Sequence, residues 1–439
     1  MKSWVDCFTQ EIQEKFRDKI LIAGLASVQK GKILSRPADA GCADTVSQIL
    51  SQVKARGDGA LIEYARKFDG AGADYAIRVP ESEIERALET CPKDLLWAMG
   101  LAKKNIEAYA KACMPKPVAF NGKDAKISRK IVPLESAGIY APGGRAAYPS
   151  TVLMCAIPAK TAGVEKVVLC SPFPVQDSIL AAAALCGIKD VFAIGGAQAI
   201  AAMAYGTKTV PKVRIIAGPG NQYVTEAKRQ ARNSGTAIDM LAGPTEVMII
   251  ADKGADIGLV AADMLAQLEH GPDSTAIAIV EKGMEKGLAN EIAAQAATLN
   301  RAQILEKSIS NCWIVAAGKG DYEGMADLAN AYAPEHLELQ TRNNARLLKL
   351  VKNAGAIFVG EKSCEAFGDY CAGSNHVLPT GGSAAVSSAL GVETFLKRIE
   401  VVEVKKTGRL AKCAGIIADA EGLGAHAKSA RKRIGRKSG

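Results

Sequence analysis

Glu335 and His336 stand side by side in AYAPEHLELQ, residues 331–340, in a chain that holds only four histidines. An imidazole takes up or releases a proton near neutral pH, and an adjacent carboxylate can activate water, so the pair suits general acid–base work on one small molecule. A continuous strand would point neighbouring side chains to opposite faces. Convergence therefore needs an irregular backbone, which Pro334 favours by lacking an N–H and by turning Ala333 away from helix.

The other three histidines also have polar company. His270 closes AADMLAQLEH, three residues after Gln267, and the two share a face if the segment is helical. His376 lies in FGDYCAGSNHVLPTGG with Asp369, and His426 lies in EGLGAHAKSARKR, five residues after Glu421. Imidazole, carboxylate and carboxamide groups make a nitrogen and oxygen donor set suited to zinc or a similar divalent ion, although the spacing matches no standard zinc signature.

Glycine-rich segments GIYAPGGRAAYPS (138–150), GGAQAI (195–200) and AGPGNQYV (217–224) each begin or follow an apolar run. Such loops let backbone amides approach phosphate, and a following helix adds its positive end. The dinucleotide fingerprint is incomplete, because Tyr223 stands where a third glycine belongs.

These residues must be placed by a scaffold. Residues 44–115 read as several amphipathic helices. From Ile131 onward, short runs rich in β-branched residues (KVVLC, VFAIG, VRIIAG, VMIIAD, AIAIV, WIVAA, AIFVG) alternate with alanine-rich helical stretches. This is an α/β pattern of parallel sheets covered on both faces. The expected division is an N-terminal helical segment (1–30), a discontinuous α/β domain (31–136 with 245–380) carrying the catalytic and metal residues, a nucleotide-binding α/β domain (137–244), and a small C-terminal region (381–439).

The net charge of +9 is local: KSARKRIGRKSG, 428–439, carries six basic residues and no acid. With 5% aromatic residues and no aromatic–basic stripe, a solvated tail is preferred over a nucleic-acid arm. The eleven scattered cysteines form no CxxC pair and read as reduced thiols. The start of the chain has acids where a signal peptide needs an apolar core, and no apolar run is long enough to span a bilayer, so a cytoplasmic protein is expected.

The motifs GGAQAIAAMAYGT, GPGNQYVTEAKRQ, QLEHGPDS, YAPEHL and GDYCAGSNHVLPT, in this order along the chain, resemble those of the histidinol dehydrogenases, from about residue 53 to 430. The resemblance implies oxidation of L-histidinol through L-histidinal to L-histidine with two NAD and one water. It implies Glu335 and His336 as the catalytic pair, and Gln267, His270, Asp369 and His426 as zinc ligands. Substrate contacts are implied at Thr245, Gln267, His270, His336, Asp369, Glu421 and His426, and NAD contacts at Tyr140, Gln198 and Asn221. It also implies a homodimer of two Rossmann-like units per chain, with C-terminal segments exchanged so that His426 serves the partner's site. Thr245 in AGPTEV replaces the family's usual serine. That substitution keeps open a zinc and NAD dehydrogenase acting on another polar alcohol, such as sulfopropanediol.

Overall fold

The structure is a computed structural model and describes residues 13–28, 41–143, 147–299 and 301–434. The rest of the expected 1–30 segment and the end of the basic tail lie outside the described residues.

Two parallel sheets carry the molecule. The larger has six strands in the spatial order Leu21–Gly24, Cys312–Ala317, Thr275–Glu281, Glu246–Ala251, His336–Gln340 and Ala356–Val359. The smaller has five, in the order Asp190–Ala193, Lys166–Ser171, Ser136–Tyr140, Ile215–Ala217 and Ala237–Ile238. Every pairing in both sheets is parallel. Leaving aside the N-terminal edge strand, each sheet starts in its middle, winds outward to one side, then returns to the other. That reversal creates a switch point beside the first strand of each unit. The central strand Glu246–Ala251 is buried at all six positions, because helices cover both faces.

Three features differ from the sequence reading. The N-terminal segment is not only helical: Leu21–Gly24 pairs with Trp313–Ala316 as the edge of the six-stranded sheet. The C-terminal region contains Leu396–Val404, which joins Ala125–Pro133 and Val118–Asn121 in a third, antiparallel sheet. The helices expected to join residues 245–380 pack elsewhere. Val46, Ile49, Leu50 and Val53 recur along Ala43–Arg56 at the spacing of one helix face and share a core with Ile200, Met203 and Val210. Ile84, Met99 and Ile106 likewise share a core with Leu153 and Leu180. These helices therefore cover the five-stranded sheet. Leu50→Ala would leave a cavity there and cost about 2–5 kcal/mol.

Candidate active site

The helix Tyr322–Tyr332 ends at Ala333, whose φ of 51° is the only positive value among the described non-glycine residues. Pro334 prevents the helix from continuing. The chain enters the sheet at once: Gly355 N donates to Pro334 O and Ala356 N to Glu335 O, both at 2.9 Å. A Cβ on Gly355 would lie 2.5 Å from Glu335 O, so only glycine allows this approach. The bend brings Glu335 and His336 into one buried place, with Glu335 Oε2 3.8 Å from His336 Nδ1.

Both residues sit at the amino ends of the strands. There Glu335 Oε2 accepts from Thr245 Oγ1 at 2.6 Å and from Glu246 N at 3.0 Å. Burial pushes the Glu335 carboxyl up to about 7, against the opposing pull of His336 and those two donors. His336 Nε2 lies 3.2 Å from Asp369 Oδ1, and its Nδ1 lies 3.8 Å from Glu365 Oε1. Burial disfavours charge on this imidazole, but Glu365, Glu335 and Asp369 together outweigh it and hold the group well above its ordinary value.

Glu365 and Asp369 are four residues apart on the short helix Glu365–Tyr370, so they share a face. Glu365, which the sequence reading missed, is pushed up by burial to about 8. Asp369 is held below the usual range despite burial, first by its hydrogen bond to His336 and the charge of His336, then by His376 and His270. His376 hydrogen-bonds Asp369 O through Nδ1 at 3.0 Å and Thr151 through Nε2 at 3.4 Å, joining this loop to the first turn of the helix Pro149–Thr161.

Gln267, at the end of the helix Ile257–Leu268, is fully buried between Thr245 and Glu365. Its carboxamide is satisfied with the nitrogen donating to Glu365 at 2.9 Å and the oxygen accepting from Glu246 N at 3.1 Å; in the reverse orientation the nitrogen would face the Glu246 N–H.

A second carboxyl pair lies beneath. Glu338 points to the same face as His336, two residues along the strand. It accepts from Glu365 N at 3.0 Å and from Gln340 Nε2 at 2.8 Å, and hydrogen-bonds Asp263. Burial and the charge of Asp263 push Glu338 up to about 9, so it holds a proton at neutral pH.

Tyr140, Gln198 and Asn221 occupy the carboxyl ends of the five-stranded sheet, around its switch point. Tyr140 is buried and its hydroxyl accepts from Gly196 N at 3.1 Å. Gln198 is buried in the first turn of Gly196–Tyr205. Exposed Asn221 caps Gln222–Ala231, its Oδ1 accepting from Tyr223 N and Val224 N. Gly218 has φ 120°, and a Cβ there would fall 2.1 Å from Tyr140 O.

Of the four implied metal ligands, one chain brings Gln267 and Asp369 to this site, with His270 exposed on its rim. Glu421 and His426 are exposed on the C-terminal helical segment, which packs on itself and is tied through Arg409 to Asp124. Among the described residues, the ligand-type cluster that the single chain does assemble is His336, Glu365 and Asp369, whose donor atoms all lie within 4.8 Å of one another. It shares only Asp369 with the implied set. The nitrogen and oxygen donors present fit zinc chemistry.

A family profile described as histidinol dehydrogenase matches residues 35–434. The chain belongs to the histidinol dehydrogenase family. It is 43% identical over 419 residues to the histidinol dehydrogenase of Vibrio parahaemolyticus, covering 93% of this chain and 96% of that protein. It is 45% identical over 415 residues to that of Escherichia coli, covering 92% and 95%. Its fold matches the crystal structure of histidinol dehydrogenase from Elizabethkingia anophelis with a TM-score of 0.90 at 36% identity, covering 94% of this chain and 98% of that one.

Proposed function

We propose that this NAD-dependent oxidoreductase of histidine biosynthesis oxidises L-histidinol to L-histidinal and then to L-histidine, using two NAD and one water, with Glu335 and His336 dividing the proton transfers. The observation that carries this reading is the buried pair itself, 3.8 Å apart, with both groups holding protons more tightly than they would in water. In the first step His336 takes the alcohol proton as hydride leaves the carbinol carbon for NAD. In the second, Glu335, poised near 7, takes a proton from the water that attacks the aldehyde carbon, and a second hydride leaves for a second NAD.

Gln267, His270 and Asp369, with His426 of the partner subunit, would hold zinc, and Thr245, His336 and the partner subunit's Glu421 would line the substrate beside them. Zinc would supply positive charge that anchors the substrate's nitrogens and relieves the carboxylate pull on His336. Placing the carbinol carbon in this way can contribute several kcal/mol. A homodimer is supported by the exposure of His426 and by unpartnered apolar side chains on the same segment, including Val402, Ile416 and Ile417. Tyr140, Gln198 and Asn221 place NAD on the five-stranded unit, across from the catalytic residues of 245–380.

Among the described residues no helix is long and apolar enough to cross a membrane, which accords with a cytoplasmic setting. Thr245 gives its hydroxyl to Glu335 as a serine could, so the substitution does not itself call for a different alcohol. The test is NADH stoichiometry. Two NADH per L-histidinol, abolished by a chelator and restored by zinc, is expected; one NADH with accumulating aldehyde would overturn the assignment of both steps to this site.

A further inference from the structure

Dinucleotide-binding sheets of this topology commonly end their second strand in an acidic residue that holds the adenosine ribose hydroxyls. Here the second strand of the five-stranded unit, Lys166–Ser171, ends in Ser171 and runs into Pro172, with no acid. Pro172 packs between the positions of Gly143 and Gly195, where a Cβ would fall 3.3 and 2.8 Å from its ring. Three strand ends therefore converge on a floor of small residues.

A carboxylate reaches this place from another part of the chain. Asp69 is the last residue of the helix Asp58–Asp69, ahead of Gly70 in a left-handed conformation. Its Oδ2 is buried and has no hydrogen-bond partner, and the Ser171 hydroxyl at the strand end is likewise buried without one. The Phe173 backbone N–H favours the charge of Asp69, which in turn acts on the phenols of Tyr75 and Tyr140. Neither phenol is hydrogen-bonded to Asp69 Oδ2, and Tyr75 gives its proton to Ala193 O.

Apart from the Phe173 N–H, folding does little to favour this arrangement. An acid at a helix C-terminus faces the negative end of the dipole, and a desolvated carboxylate oxygen without a donor is costly. A pair of ribose hydroxyls would supply the missing donors.

We propose that Asp69 binds the adenosine ribose 2′- and 3′-hydroxyls of NAD and excludes the 2′-phosphate of NADP. Asp69 stands in for the acid that the second strand lacks. The assignment rests on reading the five-stranded unit as the NAD side.

Direct binding tests it without turnover. Dissociation constants for NADH, NADPH and 2′-deoxy-NADH would be measured by ligand fluorescence on the full-length protein and its Asp69→Asn and Asp69→Ala variants, with thermal unfolding as a folding check. The unmodified protein should prefer NADH over NADPH and lose affinity for the 2′-deoxy compound. Asp69→Asn should weaken NADH binding by about ten- to a hundred-fold, the size of a lost hydrogen bond to a charged group. It should bind NADH and 2′-deoxy-NADH nearly alike, and Asp69→Ala should narrow the gap to NADPH. Folded Asp69 variants that keep both the NADH affinity and the 2′-deoxy discrimination would overturn the role of Asp69 while leaving the cofactor reading intact. An unmodified protein that binds no NADH would overturn both.

Discussion

Thr245 and Glu335 are joined by a 2.6 Å hydrogen bond between the first turns of chain leading into two adjacent parallel strands. The hydroxyl stabilises the charged carboxylate, and it does so where burial is already raising that carboxylate to about 7. Thr245 thereby controls how much base Glu335 can offer at neutral pH.

Thr245→Val removes this donor and keeps the volume. A hydrogen bond to a charged group is worth about 1.5–3 kcal/mol, against 1.36 kcal/mol per pKa unit, so Glu335 should rise by about one unit or more. The acidic limb of kcat/KM for L-histidinal should move upward accordingly, while Thr245→Ser leaves it in place. A pH profile unchanged in the valine variant would show that another group sets that limb.

Glu335→Gln should separate the two oxidations. Loss of the water-activating carboxylate leaves the alcohol proton acceptor in place, so L-histidinal oxidation should fall by about 10²–10⁴-fold and L-histidinol oxidation by less. Rapid-quench measurement of each step checks this. Equal losses would mean that the division of labour is wrong.

His426→Ala should lose zinc and activity while the two parallel sheets stay folded, since the side chain is exposed and stands apart from both cores. Hybrids sharpen the point. A His426→Ala subunit paired with a Glu335→Gln subunit re-creates one intact site only if the histidine serves the opposite copy. L-histidinal oxidation returning on mixing two proteins that each lack it is expected, and its continued absence in a confirmed hybrid would rule out the exchange.

Metal-free protein should be less stable in alkali. Glu335, Glu365 and Glu338 titrate near 7, 8 and 9 in the fold, all above their unfolded values. The folded state then binds more protons than the unfolded chain from about pH 5 upward, so stability falls as pH rises through that window. The raised His336 acts in the same direction. Glu338→Gln places an amide where the protonated acid sits, able to donate to Asp263, and the turned Gln340 offers an oxygen that now lacks a partner. The melting temperature of chelated Glu338→Gln protein should therefore fall less between pH 6 and 9 than that of the unmodified protein.

The apolar runs were legible as strands because parallel sheets bury both faces, and each run listed in the sequence becomes sheet or its border. The partners of the helices over 43–112 were not: an amphipathic face shows that something covers it, without showing which sheet. Leu396–Val404 escaped because it is exposed at nearly every position and carries no inward–outward alternation. At the site, scarcity of histidine and the placement of Pro334 exposed the Glu335–His336 pair. Glu338 was passed over because HLEL looks like a strand with one wet face, whereas here both faces are covered. Glu365 did leave a signal, four residues before Asp369 on one turn of helix, and the loop-like glycines around it obscured that spacing.

The two hydrogen bonds from Gly355 and Ala356 to the backbone of Pro334 and Glu335 have a kinetic meaning. They tie the Glu335–His336 pair to Ala356–Val359, the edge strand of the larger sheet, so this wall cannot swing open without unzipping that strand. Those two amides should be protected from exchange with solvent for as long as the edge strand stays paired, and on the proposed dimeric reading any breathing that admits substrate falls to the opposite wall, facing the NAD unit and the neighbouring copy.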